Sequence, residues 1–165
     1  MRSTAADLDH LLAPYDGARR GPGRVLVVDD DEGVRSVMIR QLTHAGFDVV
    51  AAQSAADGLK ILREDDSIRI VLLDMIMPAM DGWGFREAQL AEPALASIPA
   101  IVLTGAPLPT LVHAQLQAAD YLLKPVGRDH LISVVSNYCE PIRAVTPKAT
   151  AASGSPEPAH GFAQP

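Results

Sequence analysis

At 165 residues, 48% hydrophobic and 21% charged, the chain has ordinary globular composition and enough length for one domain with a real core. A net charge of −6 gives no general attraction for nucleic acid or anionic membranes, and no basic patch stands out beyond Arg19, Arg20 and Arg24. The single cysteine, Cys139, excludes an internal disulfide framework and a CxxC metal site, and reads as a small residue near a helix end.

The opening stretch MRSTAADLDHLL carries acids where a signal peptide needs an unbroken apolar run, and no segment approaches membrane-spanning length. A soluble, cytoplasmic protein with no membrane insertion is expected. Residues 1–23 form an N-terminal extension with a short helix predicted around Thr4 to Leu12, capped by Ser3 or Thr4 and broken by YDGARRGPG. The first strand, RVLVV, then starts a domain spanning 24–140 and runs straight into Asp29, Asp30, Asp31 and Glu32. On its own that acidic run is as well explained by a solvated loop leading into an acidic helix N-terminus as by a functional role.

Val34, Val37, Met38 and Leu42 fall on one face of the first predicted helix, with Gly46 as its stop. FDVVAA is the second strand, and Ser54 with Asp57 makes a capping-box-like start to the second helix. IRIVLL is the third strand and ends at Asp74; Asp81-Gly82 begins the third helix. Trp83 and Phe85 are predicted core residues, and Met75, Met77 and Met80 are predicted packing around the loop before them. PAIVLT is the fourth strand and ends at Thr104; DYLLK is the fifth and ends at Lys124. Leu131, Val134, Val135 and Tyr138 mark the apolar face of the last helix. From 141 to 165 a Pro/Ala-rich tail without apolar periodicity is expected to be disordered. His10, His44, His113, His130 and His160 show no metal or triad spacing and read as surface or structural.

Five βα units, with strands one and three apolar on both faces, imply a doubly wound α/β parallel sheet covered by helices on both sides. Ligands of such a sheet gather beyond the carboxyl ends of the strands. Asp29, Asp30, Asp74, Thr104 and Lys124 all fall on that rim. Two carboxylates about 5 Å apart repel by about 3 kcal/mol at an effective dielectric of about 20, so the cluster calls for a cation. Mg²⁺ suits an all-oxygen site, and with it the charges of Asp29, Asp30, Asp74 and Lys124 cancel. A carboxylate so placed beside a lysine and a hydroxyl is equipped to accept a phosphoryl group.

The motifs VVDDD, LLDMIMPAMDG, VLTG and YLLKP, in this order and spacing, resemble the receiver domain of two-component response regulators over roughly residues 24 to 140. The resemblance implies a flavodoxin-like (βα)5 fold with strand order 2-1-3-4-5. It implies Asp74 as phosphoacceptor, and Asp30, Asp74 and the Ile76 backbone carbonyl as direct Mg²⁺ ligands, with Asp29 holding metal-bound water. Asp31 serves only to start the first helix. Thr104 resembles the switch hydroxyl, Lys124 the residue pairing with the phosphoryl group, and Tyr121 the aromatic whose rotamer follows the switch. The Lys124-Pro125 bond is expected to be cis.

The stretch after Thr104, GAPLPTLVHAQLQAAD, is shorter than the family's usual spacing and carries Pro107 and Pro109, so a short or displaced helix is expected there. The implied role is a stand-alone phosphorelay receiver. Its donor is a histidine kinase or a histidine phosphotransfer protein, its target is a further protein of unknown identity, and it is a signalling module and not a turnover enzyme. The alternatives are a magnesium-dependent phosphohydrolase with an aspartyl-phosphate intermediate, and a pseudo-receiver adaptor that takes no phosphate. Neither Ile76 nor Ala106, which resemble the family positions bordering the hydrolytic water, hydrogen-bonds to water through its side chain, so a long-lived phosphoryl group is expected.

Overall fold

The computed structural model describes residues 22–142. The short helix predicted around Thr4 to Leu12, Arg19, Arg20, His10, His160 and the tail from residue 143 lie outside the described residues. In chain order the elements are β1 (Arg24–Val28), α1 (Glu32–His44), β2 (Asp48–Ala52), α2 (Ala55–Glu64), β3 (Ile68–Asp74), α3 (Gly82–Ala91), α4 (Pro93–Ala96), β4 (Ala100–Thr104), α5 (Thr110–Leu116), β5 (Asp120–Leu123) and α6 (Arg128–Ser136). The strands form one parallel sheet in the order β2-β1-β3-β4-β5. The chain reverses its direction of growth across the sheet after β2, and the switch point lies between β1 and β3.

Side-chain alternation along the central strands divides the core into two. Val25, Val27, Ile70, Leu72, Ile101 and Leu103 face α1 and α6, where Met38, Leu42, Leu131, Val134 and Val135 meet them. Leu26, Val28, Val71 and Leu73 face α2 and α3, against Leu59, Leu62 and Phe85. Both faces of β1, β3 and β4 are therefore dry, as the uninterrupted apolar runs require.

Helix starts follow the predicted caps. Asp31 accepts a hydrogen bond from the Val34 N–H at 2.9 Å, Ser54 from Asp57 at 3.1 Å, and Asp81 from Gly84 at 3.0 Å. Gly46, at φ 95°, stops α1 in the left-handed region that glycine enters without penalty.

The apolar face of α1 is narrower than its pattern predicts. Met38 and Leu42 are buried, whereas Val34 and Val37 are 37% and 40% exposed. Val34 lies in the first turn beside the exposed Asp31 and Glu32, at the rim of the sheet, and Val37 sits on the shoulder of the Met38–Leu42 stripe. Trp83 is likewise a correction: only Phe85 is core, and Trp83 is 38% exposed. Met75 and Met77 pack inside, but Met80 stands partly in solvent.

The apolar pattern predicts no element at α4; Pro93 at its first position and the Glu92 carbonyl start a single turn that the sequence EPALAS hides between two larger elements. α5 is short, as expected: Pro109 precedes it without a side-chain cap, and Gln117 closes it at φ 45°. Cys139 is buried, with its thiol 3.5 Å from the Gly23 carbonyl. The two ends of the described chain meet there, through a bridge between Pro22 and Glu140 and an Ile142 N–H donated to Gly46 at 2.9 Å.

Candidate functional site

Asp29 follows β1 directly and its side chain is fully buried. Its Oδ1 accepts the Asp31 N–H at 2.9 Å, while Arg35 donates to the Asp29 carbonyl at 2.7 Å and holds the turn shut. Asp74 is the last residue of β3, in the strand next to β1. The first turn of α3 rests on its backbone at Gly82, where a Cβ would come within 2.8 Å of the Asp74 carbonyl oxygen and of the Met75 sulfur. Only glycine admits that approach, so the DG pair both starts the helix and seats it on the loop.

Lys124 comes from the far side of the sheet, one residue past β5, with its N–H bonded to the Thr104 carbonyl at 2.8 Å. Its Nζ donates to Asp29 Oδ2 at 3.0 Å and to Asp74 Oδ1 at 2.9 Å. The Lys124-Pro125 bond is cis. Oxygens of Asp29, the exposed Asp30 and Asp74 lie within 4.8 Å of one another.

Burial pushes the Asp29 carboxyl above its ordinary range, the hydrogen bond and charge of Lys124 only partly oppose this, and the Asp74 charge adds to it. For Lys124, burial works downward, but the hydrogen bonds it donates to Asp74 and Asp29 and their charges outweigh it, so the ammonium is held above its usual pKa and stays charged. Three carboxylates face one ammonium, a local deficit of two positive charges. An oxygen-only donor set with that deficit fits a hard divalent cation.

Thr104 stands on the same rim, but its hydroxyl closes on its own loop, donating to the Ala106 carbonyl at 2.7 Å and accepting the Ala106 N–H at 3.3 Å. Tyr121 is half-buried, and its hydroxyl donates to the His113 carbonyl at 2.9 Å. Burial raises its pKa. Ile76 lies two residues beyond Asp74 with a side chain 80% exposed. Thus Asp29, Asp30, Asp74 and Lys124 come together, whereas Thr104 and Tyr121 occupy the rim and the flank with their hydroxyls bound elsewhere.

Two residues that had attracted no attention in the sequence organise the flank. Arg86 of α3 is buried and donates to the carbonyls of Leu116 and Gln117, at 2.9 and 2.8 Å, and to Gln89 Oε1 at 2.6 Å. Gln89, fully buried, passes its own amide hydrogens to the carbonyls of Leu95 and Ile98. Desolvation lowers the Arg86 pKa to about 10, which leaves the guanidinium charged at neutral pH.

Residues 25–136 match the family described as the response regulator receiver domain. Among curated proteins, the chain is 35% identical over 122 residues to the transcriptional regulatory protein GlrR of Escherichia coli (strain K12), covering 72% of this chain and 27% of that one. It is 32% identical over 110 residues to the probable transcriptional regulator ycf27 of Porphyra purpurea, covering 66% and 44%. The match thus spans about a quarter to under half of the length of these relatives. Among solved structures, a CheY-like receiver domain protein from Methanospirillum hungatei is 33% identical with a TM-score of 0.60, covering 70% of this chain and 91% of that one. The chemotaxis protein CheY4 of Vibrio cholerae shares the fold at 24% identity, with a TM-score of 0.66 and coverage of 71% and 98%.

Proposed function

Because the chain belongs to the response regulator receiver domain family, we propose that Asp74 accepts a phosphoryl group from a phosphohistidine donor and that the modified domain changes its affinity for a partner. The donor is a histidine kinase or a histidine phosphotransfer protein, and the setting is the cytoplasm. The observation that carries this reading is Lys124 Nζ joining Asp29 and Asp74, at 3.0 and 2.9 Å, so that the ends of β1, β3 and β5 meet.

In the step, a carboxylate oxygen of Asp74 bonds to phosphorus as the phosphorus–nitrogen bond to the donor imidazole breaks, and that electron pair stays on the departing nitrogen. Lys124, already on Asp74, pairs with a phosphoryl oxygen. Thr104 exchanges its bond to the Ala106 carbonyl for one to the phosphoryl group, and Tyr121 repacks with it. Asp30, Asp74 and the Ile76 backbone carbonyl are the residues that would hold Mg²⁺, with Asp29 binding its water. Bound there, the ion neutralises the acids that otherwise repel the incoming anion. The transfer needs no other cofactor, and the domain works as a self-modifying signalling module.

The output we assign is docking onto a separate protein. The curated relatives carry the names of transcriptional regulators, so control of a DNA-bound unit is the second reading; with a charge of −6 the chain itself gains no general attraction to DNA. Incubation of the full chain with acetyl phosphate, with and without Mg²⁺, followed by intact-mass measurement tests the acceptor assignment. One added phosphoryl group that depends on metal and vanishes in Asp74→Asn is expected. Metal binding without mass gain would mean a pseudo-receiver adaptor, and continuous release of phosphate from small esters would mean a phosphohydrolase.

A further inference from the structure

α5 is held by little apolar packing. Its underlying cluster has Met75, Val102 and Leu116 buried, with Leu108, Val112, Ala118 and Tyr121 partly so. No side chain caps its start. Hydrogen bonds therefore set its place: Arg86 binds its last carbonyls, and the Tyr121 hydroxyl binds the His113 carbonyl. His113 meets Tyr121 a second time, because its imidazole lies over the phenol ring with centroids 3.9 Å apart and planes 12° from parallel. One residue of α5 thus grips one residue of β5 through both backbone and ring.

The grip bears on the site through β4. Tyr121 pairs with Val102 and Leu123 with Thr104, which puts Tyr121 and the Thr104 side chain on the same face of neighbouring strands, two residues apart. The Thr104 hydroxyl is tied to Ala106, in the loop 105–109 that leads into α5. To reach Asp74 it must leave that loop, and the loop cannot rearrange freely while the helix beyond it is fixed.

We propose that His113 is the positioning residue of a latch: by stacking on Tyr121 and accepting its hydroxyl, it holds α5 and the loop 105–109 in the arrangement that keeps Thr104 away from Asp74. The latch deepens the phosphoacceptor reading and rests on it. If the engaged arrangement is a minor population before phosphorylation, loosening the latch enlarges that population and speeds modification by a donor too small to push the domain open.

The test uses the full chain with 3-fluorotyrosine at its three tyrosines, the Tyr121 resonance being assigned by Tyr121→Phe. His113→Ala removes the stack and keeps the carbonyl; His113→Phe restores an aromatic face. Fluorine NMR of the unmodified protein is compared with the rate of phosphoryl gain from phosphoramidate in Mg²⁺. Expected in His113→Ala are a shifted or averaged Tyr121 resonance and a rate about threefold to tenfold higher, the span an aromatic stack supplies, with both returned toward the parent by His113→Phe. An unmoved resonance, or a moved resonance with an unchanged or lower rate, overturns the proposal. If the parent gains no phosphoryl group at all, the acceptor reading fails, and the latch stands or falls on the resonance and its rescue by His113→Phe.

Discussion

Among the described residues, Lys124 is the one cation that the buried oxygens of Asp29 and Asp74 share, with their side chains 0% and 9% exposed. Lys124→Met leaves those acids facing each other and should lower stability in metal-free buffer by about 2 kcal/mol, below the full cost of breaking a buried pair because the lysine is itself 26% exposed. Mg²⁺ should then raise the melting temperature of the variant more than that of the parent, and Asp30→Asn should blunt both rises; thermal melts across a Mg²⁺ titration check this. Cys139 gives the opposite case, a polar group kept neutral. Burial pushes its thiol up to about 11 from an ordinary 9.0, so at pH 7 only about one thiol in ten thousand is ionised. Because the folded pKa is raised, this group's contribution to stability is complete below pH 9.0 and is lost as pH rises through about 11. The native chain should label with iodoacetamide far more slowly than the chain in denaturant; equal rates would show that the corner around Gly23 opens freely.

At the scale of elements, α3 works as a bracket. Arg86 and Gln89, one turn apart, bind the ends of α5 and α4, two short helices that flank β4 and have little packing of their own. Arg86→Met leaves the carbonyls of Leu116 and Gln117 and the Gln89 amide oxygen without this donor and should cost about 3 kcal/mol in chemical denaturation. Arg86→Lys should recover little, since a single ammonium cannot reproduce a planar fork spanning three acceptors. This bracket was invisible in FREAQL, where a polar pair at helical spacing reads as solvent-facing; Pro107 and Pro109 predicted a short or displaced helix, and nothing in that stretch names the donor that holds it. Strands and rim were legible for the opposite reason. A continuous apolar run needs two covered faces, and a polar residue ending such a run can only lie at the sheet edge, so Asp29, Asp74, Thr104 and Lys124 were placed by local pattern and topology together. The outer face of α1 was misread because periodicity finds the stripe of a helix but not where the helix overhangs the sheet, as at Val34, nor how wide its footprint is, as at Val37.

For the whole molecule, the described chain closes on itself at Gly23, Gly46 and Cys139, through the Pro22–Glu140 bridge and the Ile142 hydrogen bond to Gly46. A chain ending at residue 142 should keep its fold and its phosphoryl gain and melt within a few degrees of the full one, whereas ending at residue 136 removes the buried Cys139 and should lower the melting temperature markedly. Differential scanning calorimetry of the two truncations separates these outcomes. The span of the central ammonium has a further consequence during synthesis. Lys124 is 95 residues from Asp29 and 50 from Asp74 in sequence, so a growing chain carries its acids to the surface of the ribosome well before the lysine that pairs with them has emerged. An unfinished chain has Asp74, the acceptor proposed above, without the lysine that pairs with it. On the phosphoacceptor reading, competence to receive a signal would arrive with the last strand, and a truncated translation product would be silent where a more local site would already have answered.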